Sequence, residues 1–183
     1  VAQGVFPCDD EHPTQVPQIE GHDLLIGIGG DGTLLRAGHL CAPYDIPLLG
    51  VQAGRLGFLT ELNEDCLESG LTRLLSANYR LENRMMLQAE LIENGGVQQR
   101  WDVINETLIS RGREARPIEV RVDLNAGYMM SYIADGLLVA TATGSTPYAL
   151  APGGPILPPQ LHHLLVLPLP PPPSLDRAYV LAP

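Results

Sequence analysis

Leu24-Leu25-Ile26-Gly27-Ile28-Gly29-Gly30-Asp31-Gly32-Thr33-Leu34-Leu35 is the stretch that best indicates the fold of this 183-residue chain. Its apolar beginning is typical of a strand buried on both faces, and a helix is predicted after the glycines, over residues 33–40. A second apolar run follows at residues 47–51. Strand, helix and strand within about thirty residues predict a βαβ unit and therefore a parallel sheet. A further helix is predicted from Asn63, with four leucines on one face: Leu67, Leu71, Leu74 and Leu75.

The second half of the chain has a different pattern. Residues 87–91 alternate between apolar and polar and run into Asn94-Gly95-Gly96, a strong hairpin signal. Residues 118–124 alternate again and meet a turn at residues 125–127. We therefore predict two domains: an α/β parallel-sheet (Rossmann-like) domain over residues 1–83, and an all-β antiparallel domain over residues 84–183.

Composition limits the classes of partner. Eleven Lys and Arg against 21 Asp and Glu give a net charge of −10, which disfavours nucleic acid and anionic membranes as partners. A small nucleotide can still bind in a local pocket. No apolar run reaches the length of a membrane span. Three cysteines without metal-ligand spacing indicate reduced thiols in a cytoplasmic protein.

The glycine loop after the first predicted strand matches the pattern GxGxxG over residues 27–32. A Rossmann dinucleotide site would also need an acid at the end of the next strand, where the chain has Val51-Gln52. A carboxylate at Asp31, about 4 Å from a resting phosphate, would be repelled by about 4 kcal/mol at an effective dielectric of 20. The loop also lacks the Gly-Lys-Ser/Thr of a Walker motif.

Three interpretations of Asp31 remain. It can accept a proton from an attacking hydroxyl, help to hold a magnesium ion, or simply cap the helix in a tight strand-to-helix turn. In the first two, the backbone around Gly29, Gly30, Gly32 and Thr33 would cradle phosphates.

Other polar segments interrupt the apolar pattern. Asn105-Glu106 suits paired sugar hydroxyls, or else forms a bulge or a turn. Residues 143–148 are rich in hydroxyls and end in Tyr148, which can stack on a base; the alternative is an ordinary helix start. Phe58 follows the second strand, where parallel sheets bind ligands, although core packing is the simpler reading. Arg36 and Arg116 are surface charges unless they face a bound phosphate.

Taken together, these segments resemble the NAD kinase family. The resemblance rests on five blocks that follow the family's order between residues 23 and 157: residues 29–35, 54–60, 105–106, 135–148 and 153–156. The glycine-aspartate loop alone is shared with diacylglycerol, sphingosine and 6-phosphofructokinases, whereas the later blocks are specific.

The resemblance implies phosphorylation of the adenosine ribose 2′-hydroxyl of NAD by ATP or polyphosphate, with a divalent metal ion, Mg²⁺, to give NADP. It also implies a homodimer or homotetramer. Asp31 would be the general base, and Asn105 and Glu106 would hold the nicotinamide-side ribose. Asp135 would lie near the nicotinamide, and Thr146 and Tyr148 on the adenine side. The remaining implied NAD contacts are Gly32, Arg36, Phe58, Arg116 and Ala151.

The chain departs from the family pattern at several positions. Gln52 stands where the family usually has asparagine, Ala142 where it has proline, and Pro147 where it has alanine. The run near residues 155–173, which includes the proline-rich segment 168–173, departs most from the family, and we expect the chain to be incomplete at both ends. Two other functions stay open: a lipid or sugar kinase with the same glycine loop, and a noncatalytic NAD(P)-binding module.

Overall fold

The predicted strand–helix–strand arrangement forms the centre of the first of two structural units. The computed structural model describes residues 19–54, 57–113, 116–125, 127–146, 148–169 and 178–183. The chain divides into Val1–Leu81 and Glu82–Pro183. In the first unit, strand β1 (Leu25–Gly29) leads into helix α1 (Asp31–Cys41) and then strand β2 (Leu48–Gln52). The two strands pair in parallel, as predicted, so both carboxyl ends lie at one edge.

Leu34 explains how α1 packs on this sheet. Its side chain is buried, and a Cβ added at Gly27 or Gly50 would come within 2.6 or 2.7 Å of its methyl groups. Glycine at these two strand positions therefore gives the helix room to lie close to the sheet.

Helix α2 (Leu67–Leu75) follows a 3₁₀ turn, Glu64–Cys66. The predicted cap is confirmed, because the Asn63 side chain accepts a hydrogen bond from the Cys66 amide at 3.0 Å. The prediction that Leu75 shares the buried face is wrong, since its side chain is 88% exposed. At 100° per residue it lies about 80° from Leu67, at the margin of the apolar stripe.

The second unit is antiparallel throughout its named strands, as predicted. Both predicted hairpins are present: β3 (Leu87–Glu93) with β4 (Gly96–Val103), and β6 (Ile118–Leu124) with β7 (Gly127–Ala134). The first hairpin turns at Asn94 and Gly95, which both have positive φ, as a two-residue hairpin turn requires.

A four-stranded sheet supplies the core of this unit. It comprises β5 (Glu106–Ser110), β8 (Gly136–Ala140), β9 (Leu164–Leu169) and β10 (Tyr179–Leu181), in the order β10-β9-β8-β5. Successive residues of β8 and β9 face two different apolar clusters, so both strands are buried on both faces. The fold is therefore an α/β unit followed by an all-β antiparallel unit. No helix in the described part of the chain is long and apolar enough to cross a membrane. The tract Pro170–Pro173 lies outside the described residues.

Candidate functional site

Asp31 is the first residue of α1, and only Gly30 separates it from the carboxyl end of β1. Its carboxylate oxygens accept hydrogen bonds from two consecutive backbone amides, Phe58 to Oδ2 and Leu59 to Oδ1, both at 3.0 Å. The helix N-cap is Gly30, without a side-chain cap bond. The helix-cap interpretation of Asp31 is therefore wrong, because its side chain holds the segment after β2 rather than its own helix.

The structural reason for glycine differs between positions 29, 30 and 32 of the loop. A Cβ at Gly29 would come 2.6 Å from the Thr33 hydroxyl, so the fold itself requires glycine there. Among the described residues, no atom lies within 4 Å of a Cβ added at Gly30 or Gly32, and neither glycine has positive φ. Gly30 is the helix N-cap, a position that favours glycine in its own right. At Gly32, a ligand that approaches the backbone closely would explain the glycine.

Thr33 is the third residue of α1. Its amide donates to the Gly30 carbonyl at 3.0 Å, so this N–H is already used within the turn. The N–H groups of Asp31 and Gly32 lie in the first helical turn, where an α-helix provides no acceptor of its own. An anion at this helix start would therefore meet these two amides rather than that of Thr33.

The other candidate residues of the first unit are on the surface. Arg36 is exposed on α1, and the Phe58 side chain is 61% exposed, so the core-packing reading of Phe58 is wrong. Ligand contact by these two side chains stays a prediction. Arg55 and Leu56 of the same sequence block lie outside the described residues.

In the second unit, Thr141 joins the Asn105-Glu106 segment to the turn after β8. Its hydroxyl donates to the Ile104 carbonyl at 2.6 Å and accepts from the Gly144 amide at 3.1 Å. Its own amide donates to the Asn105 carbonyl at 2.8 Å. A Cβ on Gly144 would overlap the Asn105 backbone, so the turn sits directly on this segment.

The hydroxyls of this turn are not equivalent. Ser145 is fully buried, donates to the Ala142 carbonyl at 2.7 Å and accepts from the Leu157 amide at 2.9 Å. Thr146 donates to the Thr143 carbonyl at 3.2 Å. Only Thr143 has a buried hydroxyl oxygen without a hydrogen-bond partner among the described residues of the turn. The sequence prediction named Thr146 and missed Thr143, since a row of hydroxyl residues gives no sign of which one is left unpaired.

Two more buried oxygens without a partner among the described residues lie on the segment that contacts this turn: Oδ1 of Asn105 and Oε2 of Glu106. With Thr143 Oγ1 they form what we call the polar cluster. Burial also raises the pKa of Glu106 above its usual value. A buried polar atom without a partner costs about 1–3 kcal/mol. Three such atoms around one turn indicate a site for a ligand that carries hydrogen-bond donors.

Asp135 lies away from the polar cluster. Glu106 pairs with Ala140 and Ser110 with Gly136, so Asp135 is at the opposite end of β8. At about 3.4 Å per residue, this strand separates the two ends by roughly 14–17 Å. Asp135 forms an ion pair with Arg111, Nε to Oδ1, at 2.9 Å. The sequence analysis did not single out Arg111, which sits in a loop without a recognisable pattern.

Three other candidates lie at the surface of this unit. Tyr148 is 47% exposed, Ala151 is exposed in a turn, and Arg116 is exposed before β6. Residues 148–153 form turns rather than the α-helix considered as an alternative for this segment. Pro147 lies outside the described residues. Base stacking by Tyr148 therefore stays a prediction.

The described residues contain no group of three or more His, Cys, Asp or Glu side chains placed to hold a metal ion. A magnesium ion in this protein would fit the common arrangement in which substrate phosphates and water supply most ligands.

The fold and these sites together define a class: two-domain proteins with a glycine-aspartate loop on an α/β unit and a buried polar cluster on an all-β unit. The model of the ATP-NAD kinase N-terminal domain matches residues 8–79, and that of the ATP-NAD kinase C-terminal domain matches residues 104–183. The chain belongs to the NAD kinase family.

Relatives and solved structures agree with this membership. The chain is 45% identical over 149 residues to an NAD kinase of Heliobacterium modesticaldum, covering 81% of this chain and 53% of that protein. It is 39% identical over 161 residues to an NAD kinase of Caldanaerobacter subterraneus, covering 88% and 57%. The chain thus spans just over half the length of these relatives.

Two crystal structures resemble this chain. Yeast NADH kinase complexed with NADH superposes with a TM-score of 0.77 and 25% identity, over 87% of this chain and 48% of that one. An NAD kinase from Archaeoglobus fulgidus in complex with ATP gives a TM-score of 0.69 and 27% identity, over 87% and 61%.

Proposed function

We propose that this chain carries the catalytic and dinucleotide-binding residues of an NAD kinase. The enzyme would transfer a phosphoryl group from ATP or polyphosphate to the 2′-hydroxyl of the adenosine ribose of NAD, forming NADP. The observation that carries the proposal is the polar cluster, in which three buried oxygens have no partner within the described residues. Ribose hydroxyls both donate and accept hydrogen bonds, so a ribose of NAD would satisfy these oxygens.

Asp31 is the proposed general base. The ribose O–H bond breaks and its proton moves to the Asp31 carboxylate. The ribose oxygen forms a bond to the terminal phosphorus of the donor, while the P–O bond to ADP, or to the shortened polyphosphate, breaks. An ionised carboxylate has about four acceptor positions. Phe58 and Leu59 occupy one on each oxygen, so each oxygen keeps one for the hydroxyl proton. In a loose phosphoryl-transfer transition state, positioning matters more than strong basicity.

The proposed phosphate contacts are the open backbone at Gly30 and Gly32 and the amides of the first turn of α1. Positive potential at this helix start would favour a phosphate oxygen. Mg²⁺, when bound to the phosphates, would supply positive charge that a chain of net charge −10 lacks.

The exposed residues Arg36, Phe58, Arg116, Tyr148 and Ala151 are proposed as further NAD contacts. Support for nucleotide substrates comes from the solved relatives, of which one is bound to NADH and another to ATP. We also propose that the protein is cytoplasmic and forms a homodimer or homotetramer.

The test is an assay of NADP formation by the full-length chain with NAD, Mg²⁺ and either ATP or polyphosphate. Asp31→Asn should lower kcat by about 10²- to 10⁴-fold, because general-base catalysis contributes that much, and should leave NAD affinity largely unchanged. Asp45→Asn is the matched control. Asp45 is exposed at a left-handed position that asparagine tolerates, so this variant should keep full activity.

The alternatives give different results. Chain that binds NAD but makes no product with either donor is a noncatalytic binding module. Chain that does not bind NAD but phosphorylates diacylglycerol or fructose 6-phosphate is a lipid or sugar kinase. Unchanged turnover in Asp31→Asn would refute the general-base role.

A further inference from the structure

The carboxylate of Asp31 is fixed by a backbone segment far from it in sequence. The Phe58 and Leu59 amides, 27 and 28 residues away, each donate to a different carboxylate oxygen at 3.0 Å. Two donors at fixed spacing hold both the position and the rotation of a carboxylate. We call residues 57–59 the carboxylate clip.

The clip is itself attached to the sheet. The Glu61 and Leu62 amides donate to the Gly50 carbonyl at 2.9 and 3.1 Å, and Gln52 donates to the Leu62 carbonyl at 2.7 Å. A Cβ at Gly50 would come 2.6 Å from the Leu59 carbonyl oxygen, so the segment passes directly over β2. The two amides therefore belong to the rigid part of the unit rather than to a free loop.

Gly57 is the residue that makes room for the carboxylate. A Cβ at this position would overlap Asp31 Oδ1 and come 2.9 Å from Asp31 Cγ. Gly57 is not among the glycines with positive φ, so backbone conformation does not require glycine there. The three nearest atoms to that Cβ all belong to Asp31. The reason for glycine at position 57 is therefore the position of this one side chain.

We propose that Gly57 is a positioning residue for the phosphoryl transfer, acting through Asp31 and not on substrate. This inference rests on the proposed function, in which Asp31 is the general base. Gly57→Ala pushes the carboxylate away from the clip amides and from the ribose hydroxyl. A displacement of about 1 Å in a reacting group can cost about 100-fold in rate. We expect that loss in kcat, with little change in the KM for NAD.

The experiment is a double-mutant cycle of Gly57→Ala and Asp31→Ala in the full chain. It measures both kcat and the free energy of unfolding. If Gly57 acts through Asp31, then Gly57→Ala lowers both quantities in the wild-type background and changes neither appreciably in the Asp31→Ala background. Gly70→Ala is the stability control for a packing glycine, because the three nearest atoms to its added Cβ all belong to the Leu62 side chain and none to Asp31. That variant should lose stability equally in both backgrounds.

The two readouts separate failure of this inference from failure of the proposed function. Equal destabilisation by Gly57→Ala with and without the Asp31 carboxylate overturns the positioning role, even if the chain has no kinase activity. Active wild-type chain with an unchanged kcat in Gly57→Ala overturns it as well. A stability coupling in a chain that makes no NADP supports the clip and refutes the kinase proposal instead.

Discussion

Replacing Thr141 by valine tests how the polar cluster is held in place. The Thr141 side chain is fully buried and makes two hydrogen bonds, to the Ile104 carbonyl and from the Gly144 amide. Valine has nearly the same shape, so it leaves no large cavity, but it leaves both backbone groups without this partner. At about 1–3 kcal/mol for each buried group left unsatisfied, the expected loss is about 2–6 kcal/mol.

Urea unfolding measures this loss. Trp101, the single tryptophan of the chain, lies in β4 of the same unit and provides the fluorescence signal. With a slope of about 2 kcal/mol per molar urea, Thr141→Val should lower the midpoint by about 1–3 M. Thr141→Ser is the control, because it keeps both hydrogen bonds and removes one methyl group. Thr141→Ser should lower the free energy of unfolding by about 1 kcal/mol.

Two results would refute this reasoning. One is a Thr141→Val loss below about 1 kcal/mol, which would mean that the hydroxyl bonds contribute little. The other is an equal loss in both variants, which would mean that the methyl contact matters and the hydroxyl does not.

Two further predictions concern buried groups of the second unit. Burial raises the pKa of Glu106 in the folded protein above its value in the unfolded chain. The contribution of Glu106 to stability is therefore fully present below the unfolded pKa and is lost as pH rises through the folded pKa. Glu106→Gln should therefore be more stable than wild type at pH 7, and the difference should vanish in acid. The affinity for NAD should fall about tenfold to hundredfold. Urea unfolding at a series of pH values measures the stability, and a Glu106→Gln variant less stable than wild type at pH 7 would contradict the prediction. Tyr132 is fully buried, its hydroxyl has no partner within the described residues, and burial, with a smaller effect of Tyr179, raises its pKa to about 12. Tyr132→Phe should leave the free energy of unfolding unchanged or raise it by up to about 1 kcal/mol, and a clear loss by the same measurement would reveal a partner for the hydroxyl.

Local sequence signals were sufficient for the βαβ unit and the two hairpins. Apolar runs next to glycines, and Asn94-Gly95 between alternating residues, depend only on neighbours along the chain. β9 was not predicted, and its Pro168 would argue against a central strand. Among the described residues, β10 pairs with residues 164–166 of β9, and this pairing does not extend to Pro168.

The candidate site was predictable to a similar degree. Asp31, Asn105 and Glu106 stood out because polar residues interrupt an apolar pattern. The donors that hold Asp31 could not be recognised in the sequence. They are the backbone amides of Phe58 and Leu59, and any residue except proline supplies such a group. Likewise Thr143 differs from Ser145 and Thr146 only in its surroundings. Such contacts depend on long-range packing, which a short sequence motif does not indicate.

The pairing of β5 with β8 has a consequence for the order of folding. Each of the two hairpins closes a short loop, whereas Glu106 meets Ala140 only after about thirty intervening residues are brought together. Contacts between distant residues form late, because the entropy of closing the loop is lost before the contact is gained. The chain should therefore reach a state with both hairpins formed before it can bind a dinucleotide. In a refolding experiment, recovery of ligand binding should lag behind the recovery of strand signal.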